Sequence, residues 1–253
     1  AVIAVFVAVM MIGQAMIYVV SPYHCDMTAE RDGSSVDVTV DTHYSLGYTI
    51  NSLRTDSMRD VTSYAVYYDD SYPVKGDRAV ILDAIKRLRL CFSNDNCTLS
   101  TIDATGLQDL MSHRDTTTAV LFMTGTLPEE IYDGKASSPI FEWLADGGVM
   151  YWLHEKLGAT YAERNGRIVD VEDPDGLVFG NSDVINPSGG QVFTKNLVDG
   201  SLTDKLGIYY GETTNGVDCS LLASPYLALD YNDGTYSAVT LVRYIGGDGV
   251  IGV

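Results

Sequence analysis

Three groups of residues carry side chains suited to chemistry. His154-Glu155 follows the apolar run VMYW and sets an imidazole beside a carboxylate, the components of a general acid–base pair or a polar ligand anchor. Neighbours on an extended chain point opposite ways, so a surface loop is the plainer reading. Asp69-Asp70 closes a second short strand-like run, TSYAVYY. It stands at a strand's C-terminal end, where open α/β sheets bind ligands and where aspartates also serve ordinary turns. Glu172-Asp173-Pro174-Asp175-Gly176 gathers carboxylates in one loop, a donor set for a hard cation such as calcium. The spacing and terminal Glu of an EF-hand are missing, so an acidic loop is expected, and no cofactor is implied.

Four cysteines, Cys25, Cys91, Cys97 and Cys219, form no C-x-x-C, and no His stands at ligand spacing beyond the adjacent His24-Cys25, which argues against zinc. Outside the cytoplasm an even count suggests disulfides. Cys91 and Cys97 bracket the polar stretch FSNDN, a natural small loop, leaving Cys25 for Cys219; two other pairings stay open. Asn96-Cys97-Thr98 is the one glycosylation sequon. Gly189-Gly190 and Gly246-Gly247 are not followed by Gly-Lys-Ser/Thr, so no phosphate loop is present. The 17 tyrosines suit strand packing and, where exposed, a carbohydrate or protein interface.

Elements that would position these groups follow from periodicity. Alternation over 34–50 reads as one or two strands. Residues 62–68 form a short strand, and Asp77 caps a helix DRAVILDAIKRLRL with the apolar stripe Val80, Ile81, Ala84, Ile85 and Leu88. A strand over 97–102, a helix over 105–113, a buried strand over 118–123, a helix over 138–146 stopped by Gly147-Gly148, and a strand over 149–154 succeed one another. This alternation predicts βαβ units and a mostly parallel, covered sheet. Residues 165–216 look loop-rich. The tail reads as strands joined by turns at Asn232-Asp233-Gly234 and Gly246-Gly247-Asp248-Gly249.

Upstream, AVIAVFVAVMMIGQAMIYVV holds no charge and one clearly polar side chain, Gln14. As a helix it reaches about 30 Å, the thickness of a bilayer's hydrocarbon core. Tyr18 and Tyr23 flank its end, and Ser21-Pro22 breaks it. A secretory leader would need a basic start and a small-x-small cleavage site, and neither is visible. The remainder is acidic, with 34 Asp and Glu against 16 Lys and Arg for a net charge of −18, which repels nucleic-acid phosphates and anionic headgroups. The expected organisation is α/β: a transmembrane or filament-core helix over 1–22, a β-rich neck over 23–60, and a doubly wound domain with late β-hairpins over 61–253.

Two resemblances accompany this reading. The apolar opening resembles the N-terminal helix of type IV pilins and archaellins, though positions 1–13 lack the acidic residue many pilins carry. AVLFMTG, the helix ending FEWLADGG, VMYWLH and the late TLVRYIGGDGVIGV resemble class I glutamine amidotransferase-like domains, a flavodoxin-like family. That likeness spans about 60–253 and implies the fold. Its chemistry does not carry over: where the family places a nucleophile on a sharp elbow, this chain has Leu153-His154-Glu155-Lys156, and no His follows His154.

The sequence therefore points to a non-enzymatic, membrane-anchored cell-surface protein acting in self-assembly or partner binding, as a pilin-like filament subunit or envelope component. Its partners would be a lipid bilayer or neighbouring N-terminal helices, and other protein subunits, with no nucleic acid. Two alternatives stand beside it: an extracytoplasmic ligand-sensing module binding a sugar or small metabolite at the strand ends, and an atypical hydrolase.

Overall fold

The structure, a computed structural model, describes the backbone of 18–20, 24–32 and 35–42, together with residues 61–94, 98–185, 192, 197–199, 216–232 and 236–253. In the first group β1 (Tyr18–Val20), β2 (His24–Asp32) and β3 (Ser35–Thr42) form an antiparallel sheet in that order. The helix expected over 1–22 otherwise lies outside the described residues, as does the sequon at Asn96. No helix among the described residues is long and apolar enough to cross a membrane.

The body is mixed α/β, built on a nine-stranded sheet whose central strands are parallel. Its parallel strands are β4 (Ser63–Tyr67), β5 (Leu99–Ile102), β6 (Thr118–Phe122), β8 (Val149–Trp152) and β15 (Val250–Gly252). They lie side by side in the order β5-β4-β6-β8-β15. Beyond β15 the sheet turns antiparallel through β14 (Tyr236–Arg243), β13 (Tyr226–Asn232) and β11 (Leu197–Asp199), with β12 (Val217–Asp218) also on β14. A small separate sheet holds β7 (Leu127–Pro128), β9 (Thr160–Ala162) and β10 (Ile168–Asp170).

Successive strand side chains enter opposite faces, and both faces are apolar, as a covered parallel sheet requires. Tyr64, Val66, Ala119, Leu121, Val149, Tyr151 and Val250 share one core with Ile81, Ile85, Leu88 and Phe92 of α1 (Arg78–Asn94). Tyr67, Val120, Phe122, Met150, Trp152 and Ile251 share the other with α2 (Ala104–Ser112) and α3 (Pro139–Ala145). Asp77 caps α1 as expected, its Oδ1 accepting the Ala79 amide at 2.7 Å.

Some expectations need correction, and others lie outside the described residues. Residues 91–94 continue α1 instead of opening a loop, because Phe92 stands four residues after Leu88, extends the buried stripe, and meets Tyr64 edge-on at 5.2 Å. The side chains of Cys25, Cys91 and Cys97 lie outside the described residues, and so do the expected bridges; Cys219 is a buried free thiol. Val80 faces solvent at 65% exposure, since the stripe runs through Ile81, Ile85 and Leu88. Within the stretch expected to be loop-rich, β10 and α4 (Pro174–Phe179) are regular.

Candidate functional site

The C-terminal ends of β4 and β6 are where the chain departs on different courses, and their loops are bound to one another. The Lys75 amide donates to Thr124 O at 2.8 Å, and Thr126 Oγ1 donates to Pro73 O at 3.0 Å. Gly125, at φ 71°, leaves room where a Cβ would stand 2.8 Å from the His154 ring and 2.6 Å from Lys75 Cβ. The small sheet is joined to this rim, with Thr160 Oγ1 donating to Gly125 O at 3.0 Å.

That sheet delivers two charged residues. Glu130 follows β7, where the Glu129 amide donates to Ala162 O at 2.9 Å. Arg164 sits in the β9–β10 hairpin loop, turned by Gly166 at φ 92°, and its amide donates to Glu129 Oε1 at 2.9 Å. The two meet over the end of β4. Tyr72 Oη donates to Glu130 Oε1, while Arg164 Nε and Nη2 reach Tyr72 Oη and Glu130 Oε1, each at 3.3 Å. The guanidinium lies over the Tyr72 ring, 5.8 Å from its centroid. Burial, then the bond to Glu130, pushes the Tyr72 phenol up to about 12.

Beneath this cover is Tyr67, the last residue of β4. Its ring packs against Phe122 at 5.8 Å, and the whole residue is 1% exposed. Its hydroxyl has no hydrogen-bond partner, and neither does the buried Glu130 Oε2. Burial first, and then the negative field of Asp69, Tyr72, Glu130 and Asp103, raises the Tyr67 phenol far above its ordinary value, so it stays protonated.

The residues singled out from sequence fall around this centre with separate tasks. Asp69 Oδ1 accepts the Ser71 amide at 2.8 Å and Oδ2 accepts the Ala104 amide at the start of α2, at 3.2 Å. Burial alone would raise its carboxyl; those amides and Arg164 outweigh it and hold it low. Asp70 is at the surface, paired with Arg78 at 3.0 Å and accepting from Tyr68 Oη at 2.8 Å. His154 stands beside Gly125 and the Trp152 ring, and the exposed Glu155 gives its carbonyl to Trp152 Nε1 at 2.9 Å.

Glu172, Asp173 and Asp175 do not converge on a common point. Asp173 caps α4, accepting the Gly176 amide at 3.1 Å and Ser182 Oγ at 2.7 Å. Asp175 is turned fully inward against Lys156 at 3.0 Å and the Ile185 amide at 2.8 Å, and Glu172 is exposed. Among the described residues no group of three or more His, Cys, Asp or Glu is disposed to hold a metal ion.

Sequence reasoning reached Asp69, and Tyr67 only as one of the tyrosines suited to an interface, and missed Tyr72, Glu130 and Arg164. The clue was TSYAVYYDD, a buried-type strand ending in hydroxylated rings, but Glu130 and Arg164 lie 58 and 92 positions beyond Tyr72. Compared with protein-family models, curated proteins and solved structures, the chain finds no match.

Proposed function

We propose that the chain is a membrane-anchored, non-enzymatic cell-surface protein whose α/β body works by binding, in self-assembly or with a partner. The observation that carries this reading is the turn after β8. On the likeness to class I glutamine amidotransferase-like domains, whose doubly wound sheets share the strand order 2-1-3-4-5 found in β4, β5, β6, β8 and β15, a strained elbow with a nucleophile belongs there. Instead the turn holds Leu153-His154-Glu155-Lys156, and none of the four has a positive φ. The charge-free opening supplies the anchor, in lipid or in a filament core.

The test is fractionation and direct imaging of native material beside a variant lacking residues 1–22. The full chain is expected in the membrane fraction or in filaments, and the shortened chain free in solution. Identical partitioning of the two would sink the reading.

A second reading, a ligand-sensing module, is favoured by the strand-end cluster, where two buried polar atoms stand without partners. Buried polar groups are nearly always satisfied, so two such atoms at the strand end call for a partner, and a bound ligand would supply one.

A further inference from the structure

The orphan atoms at the end of β4 differ in kind. Tyr67 Oη, held protonated, offers a donor hydrogen and lone pairs, whereas Glu130 Oε2 offers lone pairs alone. A ligand completing both must accept from the phenol and donate to the carboxylate. An ammonium donates to both and leaves the phenol hydrogen unused, and an anion is repelled by Glu130, Asp69 and Asp103. Hydroxyl groups both accept and donate.

We propose that Tyr67 Oη and Glu130 Oε2 belong to a recognition subsite for the hydroxyl groups of a polyhydroxylated ligand, a sugar or polyol, at the C-terminal end of β4. This rests on the ligand-sensing reading. The remaining geometry suits it. Glu130 Oε1 is fixed by Tyr72 and Arg164, which orients the carboxylate and leaves Oε2 aimed inward. Arg164 is the outermost part of the cover, with a side chain 60% exposed and two hydrogen bonds of 3.3 Å, so it is the part of the cluster open to solvent.

The experiment is calorimetric titration of the full chain in detergent with glucose, mannose, ribose and myo-inositol, and with putrescine as an amine probe. The same titrations on Tyr67→Phe and Glu130→Gln accompany it, with thermal melting of each unliganded protein. At least one hydroxylated probe is expected to bind, and each substitution to weaken it about tenfold or more, the usual loss when a buried hydrogen-bond partner is removed. Unliganded Tyr67→Phe is expected to melt no lower than the parent, because it deletes a hydroxyl that has nothing to bond.

The proposal is overturned if no sugar or polyol binds, or if binding ignores both substitutions. It also falls if Tyr67→Phe lowers the unliganded melting temperature, which would assign the hydroxyl a resident partner such as a buried water. Binding of putrescine alone, lost in the same variants, would discard the hydroxyl class and leave the strand-end binding reading standing.

Discussion

Lys156→Met should be among the most damaging single changes at the edge of the site, and its cost should depend on pH. Asp175 is completely buried, and Lys156, 25% exposed, is its cation. Its Oδ2 also accepts the Ile185 amide, while Oδ1 has no partner. Burial raises the Asp175 carboxyl, and the Ile185 amide and Lys156 only partly offset this. With its value raised on folding, the group favours the folded state below the unfolded carboxylate value of about 4, and that contribution is lost as pH rises through the folded value. Near pH 7, removing the cation strands a carboxylate in the core, a loss of about 3–5 kcal/mol. At pH 4, nearer that raised value, a larger share of the carboxyl is protonated, and the cost should shrink toward the roughly 1 kcal/mol of the lost hydrogen bond. Asp175→Asn should cost less near pH 7, about 1–2 kcal/mol, because the amide oxygen can still accept from Ile185 and Lys156 can extend to water. The double variant should recover most of the Lys156→Met loss. Urea unfolding followed by the buried Trp143 and Trp152 measures all four proteins at both pH values. Equal costs at the two pH values, or a double variant no better than Lys156→Met, would refute the reasoning.

Two further outcomes follow from packing. Gly249→Ala should destabilise by about 2–3 kcal/mol through overpacking: a Cβ there would lie 2.3 Å from Leu144 O and 2.7 Å from Gly148 O, both backbone atoms. Gly166→Ala, with nothing within 4 Å of its Cβ, is the control and should cost only the strain of its positive φ, about 1 kcal/mol, in the same urea titration. Burial pushes the Cys219 thiol up to about 12, so the Cys219 peptide should escape iodoacetamide in the native protein and be labelled fully in concentrated guanidinium without reductant, as mass spectrometry would read. A need for reductant would instead place Cys219 in a disulfide.

Much of the α/β body was legible because period and punctuation agree. TAVLF and VMYW are continuous apolar runs, as strands covered on both faces must be, and they occupy β6 and β8. Ile81, Ile85, Leu88 and Phe92 carry a helical period, but FSNDN after Leu90 looked polar enough to hide that Phe92 belongs to it. The small sheet was not legible: β7 and β10 are two and three residues long, below the length at which alternation registers. Since Glu130 and Arg164 ride on that sheet, the cluster at the end of β4 was hidden with it. Asp173 and Asp175 look alike in sequence and differ in the fold. One is a helix cap and the other a buried ion pair, a distinction made only by folding.

The small sheet is therefore the part of the molecule that makes the end of β4 more than a sheet edge. Tyr67 belongs to the parallel sheet, whereas Glu130 and Arg164 above it are held by β7, β9 and the β9–β10 hairpin. That unit is fastened by Thr160 to Gly125, by Tyr132 Oη donating to Gly158 O at 2.9 Å, and by Lys156 to Asp175 just before β9. Two of these fastenings are neutral hydrogen bonds worth about 1 kcal/mol each, and the third is a buried ion pair whose rupture costs several times more. Loss of Lys156 should accordingly loosen the Glu130–Arg164 cover before the nine-stranded sheet gives way. In Lys156→Met, amide hydrogen exchange over 127–170 should then quicken ahead of that over β4, β6 and β8. Uniform acceleration across all of them would mean that the cover and the sheet open as one unit, and that access to Tyr67 requires global unfolding.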